Sequence, residues 1–196
     1  MKQYIPVFFC ILIGTALSIW FFVNTEPKHI NTYPNLPAPI AEEKILITSA
    51  GQAAEATILS SIAENLNLEA DYRPIALATD LYDYKSVVIM LGYSANGQSN
   101  TIRSFQEERD RITSLLKEAG KTKLPIVVVD PTGIHRNDKQ SWRLFENIAP
   151  FADYFIGLKN MNDTEKAIQL LNKHSVPVTL VSDLEDIKIP FNSVYR

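Results

Sequence analysis

The chain has one cysteine, Cys10, in 196 residues. An intrachain disulfide, a multi-cysteine zinc site and a CxxC redox pair are therefore excluded. Basic residues are also not in excess. Lys and Arg number 19 against 22 Asp and Glu, for a formal charge of -3. That balance excludes the strongly basic footprint of a typical nucleic-acid binder. Three histidines, at 29, 135 and 174, are too dispersed to form a metal site. No P-loop spacing, GxGxxG fingerprint or GxSxG nucleophile elbow occurs. What is present is ordinary globular composition, 46% apolar and 21% charged.

Residues 5–23 read IPVFFCILIGTALSIWFFV and contain no charge. A bilayer core is about 30 Å thick and is crossed by roughly 20 apolar residues in a helix. The segment is expected to enter a membrane as one transmembrane helix. Lys2 precedes it, which puts residues 1–4 in the cytoplasm and the rest outside the cell. Two readings stay open: a retained anchor, favoured by length and by Trp20, or a cleaved signal peptide, with Ala16-Leu17-Ser18 resembling its cleavage site. The expected location is the cell membrane, or the exported soluble space if cleavage occurs. Cys10 reads as a small hydrophobe within the run. Residues 24–43 carry Pro27, Pro34, Pro37 and Pro39 and read as an extended spacer, with His29 a solvated linker residue. Residues 44–196 read as one extracytoplasmic domain.

Within that domain strand and helix patterns alternate. Ile45–Thr48, Val87–Leu91 and Ile126–Val129 are short apolar runs, as expected of parallel strands buried on both faces. Leu68–Tyr72 alternates and ends at Pro74, and Val176–Val181 contains Pro177, so both belong at sheet edges. Tyr154–Ile156 is a further strand. Ala54, Ile58, Ile62 and Leu66 mark one helical face. Ile102 to Leu116 mark a long helix closed near Gly120, and Trp142 to Ile148 a short one. Asn162 and Glu165 form a capping pair for a last helix, and His174 follows its end. The pattern predicts an α/β three-layer sandwich on a mostly parallel sheet of five or six strands. A flavodoxin-like order is preferred, with a Rossmann-like order as the alternative.

Ligands of such folds bind beyond the carboxyl ends of the strands. Three loops qualify. The first holds Thr48, Ser49, Gly51 and Gln52, where a helix N-terminus favours an anion; equally, Thr48 or Ser49 would cap the helix and Gly51 make its turn. The second runs from Gly92 to Asn100 and offers Ser94, Asn96 and Gly97. The third runs from Asp130 to Asp138 and holds Gly133, His135 and Arg136; arginine suits a carboxylate or phosphate. A Ser49–His135–Asp130 triad lacks the elbow sequence. Glu108 and Arg111, three apart, read as an exposed helix pair.

The runs VVIMLGYSANG, EERDRI, PIVVVDPTG, ADYFIG and SVPVTLV resemble an uncharacterised bacterial family, defined as a domain of unknown function, with an N-terminal apolar segment. The resemblance spans residues 44–181. It aligns Gly92, Ser94 and Gly97 with a glycine- and serine-rich loop, Glu108 and Arg111 with a Glu and an Arg on the next helix, and Gly133 and Arg136 with a later loop. Asp130 and His135 depart from that pattern. The resemblance implies extracytoplasmic placement and brings no activity with it.

The expectation is therefore a tethered module that binds a small polar or anionic ligand, with no cofactor, no metal, no nucleic acid and no assigned catalytic residue. Alternatives are a scaffold or partner-binding subunit of a membrane complex, and a hydrolase or transferase using Ser49 and His135.

Overall fold

The computed structural model describes residues 35–99, 104–133, 138–161 and 163–196. The expected membrane segment, 5–23, lies outside them. Among the described residues no helix is long and apolar enough to cross a membrane.

Six strands form one parallel sheet: β1 (Ile45–Ala50), β2 (Ala70–Tyr72), β3 (Ser86–Leu91), β4 (Ile126–Asp130), β5 (Tyr154–Leu158) and β6 (Val178–Val181). Their order is β2-β1-β3-β4-β5-β6. The Rossmann-like alternative, which begins 3-2-1, is not the order adopted. The central strands are apolar because both faces are covered: every residue of β1, β3 and β5 is buried. The half-polar β2 and the proline-led β6 take the two edges, as their patterns predict.

The helices are α1 (Ala56–Asn65), α2 (Ala95–Ser99), α3 (Phe105–Thr122), α4 (Lys139–Ile148), α5 (Thr164–Lys173) and α6 (Lys188–Asn192). A 3-10 turn (Ala78–Asp83) joins β2 to β3. Right-handed crossovers place α1 on one face of the sheet and the 3-10 turn, α3, α4 and α5 on the other. The C-terminus returns to the α1 side, where Arg196 donates to the carbonyls of Leu66 and Asn67 at the end of α1. The two layers of helix around the sheet complete the three-layer sandwich.

Several local expectations are corrected. The strand expected to end at Thr48 runs on through Ser49 to Ala50, because β3 continues its ladder that far, whereas the β2 ladder stops at Ile47. Neither Thr48 nor Ser49 caps α1, whose N-cap position is Glu55. The buried face of α1 is Ala56, Leu59 and Ala63, while Ile58 is 41% exposed. A strict four-residue spacing drifts about 40° per step around a 3.6-residue helix, and the small alanines let α1 approach the sheet. Gly120 does not close α3. It sits in the helix, and Lys123 takes the left-handed C-cap at φ 57°. The N-cap of α5 is Asp163, without a side-chain bond; Asn162 lies outside the described residues. His174 is the C-cap of α5, its amide bonded to the Leu171 carbonyl.

Candidate functional site

The chain crosses one face of the sheet after β1 and the other after β3, so the switch point lies at the carboxyl ends of these two neighbours. Gly51 leaves β1 there at φ +94°, and a Cβ on it would lie 2.7 Å from the Gly92 carbonyl oxygen. The tight approach joins the first two loops. Ser94 N–H donates to the Gly51 carbonyl at 2.7 Å, and Ser94 Oγ accepts the Gly97 amide at 3.1 Å. Gly97 is compelled by the same contact, since a Cβ there would meet the Gln52 carbonyl at 2.6 Å.

The Gly51 amide is already bonded within the protein. It donates to Glu108 Oε1 at 3.0 Å, and Gln52 Nε2 donates to the same oxygen at 3.2 Å. Arg111 holds Glu108 in a fork, Nε to Oε2 at 2.8 Å and Nη2 to Oε1 at 2.7 Å. Nη1 also donates to the carbonyl of Ala76, and Nη2 to that of Ser49. The pair is sealed, with side chains 0% and 3% exposed. The reading of an exposed helix pair is thereby corrected: the i,i+3 spacing is right, but α3 is pressed on β1 and the 3-10 turn. Burial pushes the Glu108 carboxyl up. The Arg111 bonds and charge, the Gly51 amide and Gln52 outweigh it and hold the group below its ordinary value.

The other expected residues are dispersed. Thr48 and Ser49 are fully buried. Thr48 Oγ1 bonds the Pro74 carbonyl and the Ala76 amide, each at 3.4 Å. Ser49 Oγ has no partner among the described residues. Gly92 is buried, Ser94 half-buried and Asn96 exposed. Gly133 turns at φ +52° against Asn160. His135 and Arg136 lie outside the described residues. Ser49 pairs with Met90, and Met90 with Val129, so Ser49 and Asp130 belong to strands two apart. That is about 10 Å, with Ser49 sealed from solvent.

One step along the strand ends is a cavity of about 40 Å³. Its polar wall is Asp130, Thr132, Asp138 and Ser141; Trp142 and Phe145 close its apolar side. Asp130 Oδ1 accepts from the Thr132 amide at 2.9 Å and also from its hydroxyl. Asp138 caps α4, accepting the Ser141 amide and hydroxyl at 2.7 Å each. Ser141 Oγ in turn accepts the Tyr93 amide at 2.9 Å, tying the second loop to the cavity wall. Asp163 adds a third carboxylate to the lining. No lysine, arginine or histidine belongs to the described lining. Among the described residues no group of three His, Cys, Asp or Glu is placed to hold a metal ion.

Thr132, Trp142, Phe145 and Asp163 were not singled out from the sequence as site residues. Trp142 and Phe145 read there only as one apolar helix face, and nothing in their spacing separates a cavity wall from a core.

A family model described as Domain of unknown function (DUF6305) matches residues 42–195. The chain belongs to this family. No curated protein matches it. A solved structure of a mutant of the esterase AlinE4 is similar over 71% of this chain and 76% of its own, at 14% identity and a TM-score of 0.29.

Proposed function

We propose that this family member is a membrane-tethered, extracytoplasmic module of flavodoxin-like order that binds a small polar ligand at the carboxyl ends of β3, β4 and β5. The observation that carries the ligand reading is the cavity wall of Asp130, Thr132, Asp138 and Ser141. Its carboxylates accept hydrogen bonds, so the group they suit is a hydroxyl, amide or ammonium rather than an anion. A small polar group of the ligand fits its volume of about 40 Å³. The rest of the ligand would lie outside. The tether rests on the uncharged run 5–23 behind Lys2.

A thermal-shift screen of amines, polyols, sugars and carboxylic acids tests the ligand reading. Stabilisation by a donor-bearing class, abolished in Asp130→Asn, is the expected result. Stabilisation by acids alone, or by nothing at millimolar concentration, overturns it. A C-terminal reporter active only outside the cytoplasm, with the chain in the membrane fraction, is expected for the tether. A reporter active inside the cell overturns that part independently.

A further inference from the structure

The spacer expected over residues 24–43 belongs, from Leu36 on, to the folded body. Leu36 and Ala41 pack against the core. The amides of Ile40 and Ala41 both donate to the Val194 carbonyl, at 3.0 and 3.1 Å. Glu42 offers its carbonyl to Ser86 Oγ at 3.0 Å, and that hydroxyl also meets Tyr195 Oη at 3.3 Å. Glu43 Oε1 pairs with Arg196 at 3.2 Å, and Oε2 accepts the Glu69 amide at 2.7 Å. These contacts gather at one end of the sheet. Ser86 opens β3, and Pro39, Ile40, Ala41 and Glu42 share a groove with Lys85 and Pro125, which immediately precede β3 and β4. Residues 36–43 thus form a strap across the amino ends of the strands, clasped by Val194, Tyr195 and Arg196. The ligand cavity lies at the carboxyl ends.

We propose that the strap braces the domain with the amino ends of its strands toward the bilayer, so that the cavity opens to the aqueous space and takes its ligand from solution. The inference rests on the tether reading and adds a direction to it. Reach decides the direction. Residues 24–34 are the arm between the apolar run and the body, and a chain of that length spans at most about 40 Å. A compact body of this size is itself roughly 40 Å across. The arm joins the body at the amino ends. It would have to be drawn out along the whole body before the cavity met the bilayer, and chain entropy opposes so complete an ordering. Without the strap the arm would be residues 24–43, which reach about 70 Å, enough to turn the body over. The clasp is what gives the cavity a side.

Cys10→Ala leaves a full chain without cysteine. One cysteine is then placed at an exposed lysine of either end: Lys85→Cys, just before β3, or Lys139→Cys, at the first residue of α4 beside the cavity. Each variant is labelled with a donor fluorophore and reconstituted into phosphatidylcholine vesicles that carry an acceptor on some headgroups. Energy transfer in Lys85→Cys is expected to exceed that in Lys139→Cys at least about twofold, because roughly 40 Å of body separates the ends. Ile40→Pro with Ala41→Pro removes both amides offered to Val194 and is expected to narrow the ratio. About nine glycine and serine residues inserted after Thr32 return the arm to its unbraced length and are expected to narrow it too, with the folded body untouched. Equal transfer from the two labels, or greater transfer in Lys139→Cys, overturns the direction. A ratio unchanged by both the proline pair and the insertion overturns the strap as its cause. A chain that does not float with the vesicles overturns the tether itself, a failure seen by flotation before any label is read.

Discussion

Glu108 Oε1 stands 3.0 Å from the amide nitrogen of Gly51, at the mouth of the first strand. In many sheets of this kind that position receives a ligand's anionic group. Here α3 supplies the anion from within the chain, and Arg111 fixes it. The switch point is therefore a structural joint, and the cavity beside α4 lies farther along the strand ends.

The joint makes acid stability depend on Glu108. Its carboxyl is held below its ordinary value of 4.5. Its contribution is thus full above that value and is lost as pH falls through the lower folded value. Glu108→Ala leaves Arg111 buried and unpaired and is expected to cost about 3–5 kcal/mol in denaturant unfolding at neutral pH. Glu108→Gln is expected to flatten the acid limb of the melting-temperature profile.

Two glycines should respond in opposite directions. Gly51→Ala forces a Cβ to 2.7 Å from a backbone oxygen at φ +94°, and a loss greater than about 1 kcal/mol is expected. Gly120 lies inside α3 with open space around its missing Cβ, so Gly120→Ala is expected to add roughly 0.5–1 kcal/mol. Chemical denaturation of the two variants side by side checks both.

Asp138 is both a helix cap and the anchor of Ser141. Asp138→Ala is expected to cost about 0.5–2 kcal/mol. Because Ser141 Oγ also receives the Tyr93 amide, hydrogen exchange at that amide is expected to accelerate in Ser141→Ala. Unchanged protection there would refute the link between the second loop and the cavity wall.

Tyr84 is pushed up to about 12 by burial and by its hydrogen bond to Asp71. A raised value means that its contribution is full below the ordinary 10 and is lost as pH rises through about 12. Ultraviolet titration is expected to show a late-ionising tyrosine that moves earlier in Asp71→Asn.

The layered fold was legible because its signals are local. Val87–Leu91 and Ile126–Val129, alternating with helix patterns, read as parallel strands buried on both faces, and Asp71 and Pro74 keep β2 at an edge. The joint at the switch point was not legible. Glu108 and Arg111 have the spacing of any surface pair, and their burial follows from Arg111 reaching the carbonyls of Ser49 and Ala76, 62 and 35 residues away. The hydroxyl of Ser49 disguised the end of β1 as a loop for a similar reason, since only the ladder with β3 carries the strand past Thr48. Of the site, Asp130 and Asp138 stood out as charges in the third loop, whereas Trp142 and Phe145 looked like core.

The margins of the sheet carry a last consequence. β2 is three residues long and runs into Pro74, while β6 is four residues long and follows Pro177. Neither offers a length of free backbone on which a foreign strand could zip up, because proline donates no amide and short ladders gain little. Both margins of this sheet are therefore poor templates for strand addition.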